Sequence, residues 1–335
     1  MDKDNLMLLE SVARVEKRLK HKATTCLYPG CQSPSIRSHS QHKAGSLSQI
    51  AENGHVMGVS RHIAASLYDA TPGSFPLPRI VPIGVREAST FWGYCNKHDT
   101  ELFDCLETKP LQKDDIKQVF ALHLRAMSFE RMAKLSQHEV LRTLPHYQAE
   151  VRVREELLSA DTRFRWDLLW SNDKLTRFEE TFSYRWVVIS EEIGVSAVAM
   201  IPPLTAVRED RYMTAHHHKD GFYDIARPSF SLSVVPVQSM THVVMCWHRD
   251  DADYVAPWKN TLCSGDNARV AGFLNKCIFA KSEDYYIRPS LWNSLSSSVQ
   301  RLVKLNLCCN DIGLDIPEVI VLHSEHHDGK RAFLG

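Results

Sequence analysis

Four residues in the first third of the chain have the chemistry of metal ligands: Cys26 and Cys31 in CLYPGC, and Cys95 and His98 in TFWGYCNKHDTELF. Thiolates and imidazole are the donors zinc prefers, and a closed tetrahedral site takes four of them. The Pro29-Gly30 turn folds the first segment back so that both of its thiolates can face one point. The second pair stands where a helix is about to begin, and the positive end of a helix dipole favours a thiolate. Together the pairs predict one structural Zn2+ held by Cys26, Cys31, Cys95 and His98. Ordinary buried thiols beside an exposed histidine are the alternative that either pair alone would leave open.

These ligands need a knuckle for the first pair and a helix start for the second, which is the treble-clef plan. Upstream, Leu6, Leu9, Val12, Val15 and Leu19 recur at three- and four-residue steps and predict an amphipathic helix over residues 5–20. From Thr24 to Arg86 the chain is broken by Pro29, Pro34, Pro72, Pro76, Pro78 and Pro82, which suits turns, short strands and one short helix near Leu47 to Glu52. Such a loop-rich region needs an internal staple, and the metal supplies one. After His98 the apolar residues keep helical spacing through Met127, and the helical section resumes after Pro145 to about Lys174. YRWVVIS, VSAVAMI, SFSLSVVPV and THVVMCW are β-branched and aromatic runs bounded by turn residues, and they predict a mainly antiparallel sheet. Helices at about Asn267–Ala280 and Pro289–Leu307 and a last strand, EVIVL, complete the expected order. The expected fold is α+β, with a zinc module over 1–110, a helical connector over 111–179 and an α+β domain over 180–335.

Between the two ligand pairs lies IRSHSQHKAGSLSQIAENGHV, with His39 shortly after the first pair. This arrangement resembles the HNH nuclease family, whose zinc-stabilised members share a treble clef. The resemblance covers about Thr24 to Phe103. It implies that His39 is a general base acting on water, and that Asp99, following the last zinc ligand in CNKHD, occupies the place of the family's metal-binding histidine. Aspartate is a good ligand for Mg2+ or Mn2+. Asn53 would be the central asparagine. The wider pattern, adding FWGYCNKHDTELF and YIRPSLWNSL, also resembles a family of uncharacterised bacterial proteins with HNH-like zinc modules, which implies the architecture and supplies no activity.

Lysine plus arginine equals aspartate plus glutamate at 40 each, so no global charge announces a partner. The local exception runs from Arg14 to Lys43, where Arg14, Lys17, Arg18, Lys20, Lys22, Arg37 and Lys43 face only Glu16. No stretch reads as a signal peptide or membrane span, and nine cysteines without an export signal suit reduced thiols in the cytoplasm. AHHHKDGFYD and HSEHHDG read as solvated loops, Cys308-Cys309 as packing, and the tryptophans of the second half as core. The leading expectation is therefore binding of DNA or RNA by an HNH-like zinc module, with metal-dependent phosphodiester cleavage by His39 and Asp99. The alternative is a non-catalytic zinc-stabilised protein that binds another protein or a small signal, in which His39 hydrogen-bonds its hairpin.

Overall fold

The computed structural model describes residues 24–60, 77–141, 173–201, 229–282, 284–308, 316–323 and 333–334. The expected helix over 5–20, most of the basic stretch, the helical section beyond Leu141 and the AHHHKDGFYD loop lie outside them.

A two-stranded ribbon pairs β1 (Arg37–His39) with β4 (Thr90–Trp92), and helix α1 (Asn96–Glu107) follows at once. The long excursion between the ribbon strands holds a π-helical turn (Lys43–Leu47), one helical turn at Ser48–Ile50, and the antiparallel strands β2 (His55–Val59) and β3 (Ile80–Gly84). Helix α2 spans Ile116–Leu141 and α3 spans Lys174–Thr181. They lead into β5 (Phe182–Ile189), β6 (Val195–Ile201), β7 (Phe230–Val237) and β8 (Met240–His248). Helices α4 (Ala252–Leu262) and α5 (Asn267–Lys281), strand β9 (Tyr285–Ile287), helices α6 (Pro289–Ser294) and α7 (Ser297–Cys308), and β10 (Phe333–Leu334) complete the order.

Eight strands form one antiparallel sheet in the order β10-β5-β8-β7-β6-β9-β2-β3. The sheet crosses the division expected at residue 110, because Met57 of β2 pairs with Ile287 of β9. Both faces are covered. Val187, Ile189, Val243, Met245 and Trp247 pack with Phe273, Leu274, Ile278 and Val303 of the C-terminal helices. The alternate residues Trp186, Val188, Val244 and Cys246 pack with Tyr94, Phe103, Leu106 and Val119 of the N-terminal half. Burial on two sides explains why the strands read as near-continuous apolar runs.

Buried polar bonds tie the excursion to the sheet. Ser40 Oγ lies 2.5 Å from Asp284 Oδ2, and Gln41 donates to Asp284 O at 3.0 Å and accepts from Ser196 Oγ at 2.6 Å. A small apolar nest of Leu47, Ile50, Val56, Ala88 and Tyr286 closes the same junction.

Three local expectations change. EVIVL is extended but forms no strand, because the Asn275 side chain takes over the pairing: Nδ2 donates to Ile320 O at 2.8 Å while Oδ1 accepts from the amides of Val319 and Ile320. The helix expected over Pro289–Leu307 is two helices, since Leu295 is extended and Ser296 Oγ accepts from Val299 N–H at 3.3 Å as a fresh N-cap. Around Leu47–Glu52 the single short helix becomes a π-helical turn followed by one α-turn.

Candidate metal centre and the ribbon beside it

Gly30 takes the left-handed conformation, φ +77°, that the Cys26–Cys31 knuckle needs, and no side chain would adopt it without strain. The knuckle closes through Cys31 N–H donating to Tyr28 O at 3.0 Å and Cys26 N–H to Ser33 O at 2.9 Å. Leu27 N–H donates to Gly93 O at 3.0 Å and Ile36 N–H to Tyr94 O at 2.7 Å, which lays the knuckle against the segment leading into α1. Cys95 is the extended residue just before that helix, and its carbonyl accepts from Asp99 N–H at 2.9 Å. His98 therefore projects from the first turn.

The four ligand atoms all lie within 4.8 Å of one another, and among the described residues no other group of three or more such side chains does so. Cys26 Sγ is 3.5 Å and Cys95 Sγ 3.4 Å from His98 Nδ1, and Cys31 Sγ is 3.9 Å from Cys95 Sγ. Tetrahedral zinc with Zn–S of about 2.3 Å and Zn–N of about 2.0 Å requires S···S of about 3.8 Å and S···N of about 3.6 Å. The three shortest separations fit, and the centre can hold a metal ion such as zinc. Burial pushes the Cys26 thiol up to about 11, whereas hydrogen bonds from Ser33 lower Cys31. A bound cation supplies the charge that holds Cys26 as thiolate. The His98 ring is fixed by stacking on Tyr28, centroids 3.8 Å apart and planes 8° apart, and Lys174 donates to Tyr28 Oη at 3.0 Å. Four protein donors would leave no open position for substrate on an ion held there, as in structural zinc sites.

The ribbon presents two faces. Cross-strand pairs Arg37↔Trp92 and His39↔Thr90 share one, and Ser38↔Phe91 occupy the other, because successive strand residues point opposite ways. Phe91 meets Phe129 of α2 edge-on at 6.0 Å, so the Ser38 face is the inner one. On the outer face the Arg37 guanidinium stands over the Trp92 ring at 6.0 Å. His39 Nδ1 lies 3.0 Å from Ala88 O and 3.1 Å from Ser89 Oγ. A carbonyl can only accept, so Nδ1 carries a proton, and the lone pair of the neutral form of the ring is at Nε2. Ser89, fully buried, is held at φ +56°, and its amide donates to Tyr286 Oη at 2.6 Å. Left-handed backbone in a non-glycine residue costs about 1–3 kcal/mol and persists where surrounding bonds over-determine it.

Asp99 belongs to the inner face. Its carboxylate hydrogen-bonds Ser38, and burial raises its pKa above the ordinary value, opposed by that bond and by Arg125. The structure thus brings the four cysteine and histidine ligands together and sets His39 and Asp99 on opposite sides of β1. Asn53 forms the exposed left-handed position, φ +50°, of the Glu52–His55 turn.

Sequence reasoning missed two sets of residues. The Arg37–Trp92 pair becomes visible only once β1 and β4 are in register. The second set is His42, Glu107 and Arg125, and its signal was a charged residue inside the apolar run FALHLRAM of α2. Among the described residues, no helix is long and apolar enough to cross a membrane. Comparison of the chain with protein-family models, with curated proteins and with solved structures finds no match.

Proposed function

We propose that this chain binds nucleic acid through the outer face of the β1–β4 ribbon, on a zinc-stabilised treble-clef module of the HNH-like kind. The supporting observation is the composition of that face: a cation, a large aromatic ring and an oriented imidazole occupy it together. Arginine neutralises phosphate and fixes register on a strand. An indole stacks on any base, a contact worth about 1–3 kcal/mol per base. The order of knuckle, ribbon and helix, with ligands from the knuckle and from the helix start, supports the treble-clef assignment.

A second reading, phosphodiester cleavage, is favoured by the Ala88 carbonyl that holds Nδ1–H of His39. In it Nε2 takes a proton from water as the hydroxyl attacks phosphorus and the ester oxygen leaves. A Mg2+ or Mn2+ ion would stabilise charge on the phosphate, and Asp99 does not face that side of the ribbon.

Fluorescence anisotropy with labelled single-stranded and duplex DNA and RNA at low salt tests the proposal. Trp92→Ala should weaken binding by about 5- to 150-fold, the equivalent of one lost base stack. Arg37→Ala should weaken it and reduce its salt dependence by about one phosphate contact. His39→Ala should leave metal content intact and abolish any cleavage seen with Mg2+ or Mn2+. Failure to bind any of the four probes at low salt refutes the proposal in favour of a protein-binding or signal-binding role.

A further inference from the structure

Behind the ribbon, two side chains from separate elements meet the carboxylate of a third residue. Glu107, in the last turn of α1, accepts from Arg125 Nη2 through Oε1 and lies 3.4 Å from His42 Nε2 through Oε2. Arg125 is only 2% exposed and His42 12%, while Glu107 at 38% marks the way in from solvent. His42 Nδ1 and Nε2, Arg125 Nε and Nη1, and Asp99 Oδ1 are all buried without a hydrogen-bond partner. Each such atom ordinarily costs about 1–3 kcal/mol, so several around one point need a physical reason.

The contact between His42 and Glu107 is informative. It is close enough for an ion pair, yet it lacks hydrogen-bond geometry, and an ion pair would need His42 protonated. His42 Nε2 and Glu107 Oε2, 3.4 Å apart, stand close to the separation of two donors with legs of about 2.0–2.1 Å on one cation. The local backbone serves that placement. His42 O accepts from both Ser46 and Leu47 amides in the π-helical turn, a form frequent at functional sites. The ring lies so close to Gly45 that a Cβ there would fall 2.3 Å from Nδ1.

We infer that His42 Nε2 and Glu107 Oε2 form a second cation site, distinct from the cysteine centre and selective for a divalent first-row metal such as Mn2+. An imidazole with a carboxylate is a donor set for such ions, and water would fill the remaining positions. Direct ligation by Asp99 is not preformed, because the three donors do not gather as the cysteine centre's do. Arg125 acts from outside, binding the other oxygen of Glu107 and thereby directing Oε2 toward the ion. The formal charge of Asp99, Glu107 and Arg125 sums to one negative, which suits a cation and disfavours a phosphate group. The inference is independent of the nucleic-acid proposal, since the site faces away from Arg37 and Trp92.

The test is Mn2+ titration of the full-length, zinc-loaded protein, followed by electron paramagnetic resonance with detection of nitrogen coupling. The expected result is one Mn2+ per chain with an imidazole-nitrogen signal. In Glu107→Gln, which keeps shape and an acceptor for Arg125, affinity should fall by at least about tenfold. In His42→Gln the nitrogen signal should vanish. Gly45→Ala, which removes no ligand but displaces the ring, should also weaken binding. Zinc content and melting temperature establish that each variant is folded. If zinc-loaded wild type binds no Mn2+ at millimolar concentration, if the bound ion shows no nitrogen coupling, or if folded Glu107→Gln binds as wild type does, the inference is wrong.

Discussion

Withdrawing the metal from the Cys26, Cys31, Cys95 and His98 centre should melt the knuckle and leave the sheet standing. Five backbone hydrogen bonds secure residues 24–36 to themselves and to the segment leading into α1: Cys26 to Ser33, Cys31 to Tyr28, Ser35 to Thr24, Leu27 to Gly93 and Ile36 to Tyr94. At about 1 kcal/mol net each, they contribute roughly 5 kcal/mol. Ordering the same residues costs about 13 kcal/mol at the low figure of about 1 kcal/mol each. The shortfall of about 8 kcal/mol is close to the lower end, about 10 kcal/mol, of the apparent free energy of structural zinc binding near neutral pH. The knuckle's folding is thus metal-dependent by an amount comparable with the whole stability of a domain. The sheet is different, because its hydrogen-bond ladders and the apolar layer under the C-terminal helices contain none of the ligands, and Cys26 and Cys95 are only two members of the large cluster on its other face.

Hydrogen exchange before and after chelation checks this. The amides of Cys26, Leu27 and Ile36 should lose protection by several orders of magnitude, while those of β5 to β8 keep theirs. Cys95→Ser should give the same pattern without chelator. Protected knuckle amides in zinc-free protein would refute the calculation, and so would joint collapse of β5 to β8.

Other consequences can be measured directly. Asn275→Ala strips three hydrogen bonds from the 319–320 segment and leaves buried backbone groups unsatisfied, so denaturant unfolding should show a loss of about 2–4 kcal/mol. Trp186 Nε1–H donates to His242 Nδ1 at 3.0 Å, and burial lowers the His242 pKa below 6.5. The unfolded chain therefore takes up this proton first: the contribution is complete above about pH 6.5 and declines as pH falls toward the folded-state pKa. His242→Gln should flatten the acid limb of stability against pH. Tyr286→Phe removes the acceptor of the Ser89 amide and should cost about 1–3 kcal/mol, with a shift of the His39 ring signals in nuclear magnetic resonance.

The ligand set was legible because metal coordination restricts residue type and spacing tightly, and the strands because two-sided burial writes itself as runs such as YRWVVI and THVVMC. Pairing between distant strands was not. Nothing in HVMGV announces that Met57 pairs with Ile287, and DYYIRP looks like a turn although Tyr285–Ile287 joins β2 to β6. Helix α4 was hidden by Pro257 within its span. EVIVL carried every sign of a strand, but the pairing it would need is supplied by one asparagine side chain. The separation of His39 from Asp99 depends on Ser38 facing inward, a matter of strand parity that sequence distance from a cysteine does not specify.

The long excursion between β1 and β4 explains how one chain carries both a candidate metal centre and a sheet whose ladders lie outside it. The excursion leaves and returns at adjoining points, since Ser40 N–H donates to Ser89 O at 2.9 Å. An insertion whose ends already meet adds little loop-closure cost to the ribbon, so its length can be spent on β2 and β3 at the edge of the sheet. The junction then has two supports. From below, the Leu27 and Ile36 amides bind the knuckle to Gly93 and Tyr94, which directly follow β4, and a metal in the four-ligand centre would reinforce them; from the side, Tyr286 of β9 holds Ser89, and Asp284 holds Ser40 and Gln41. His39 stands at this crossing, with its ring bound by Ala88 and Ser89 on the returning strand. Its orientation thus draws on contacts from the sheet as well as from the metal module, and a fragment ending near residue 110 would lack Asp284 and Tyr286. Such a fragment could keep its four metal ligands and still lose the placement of His39.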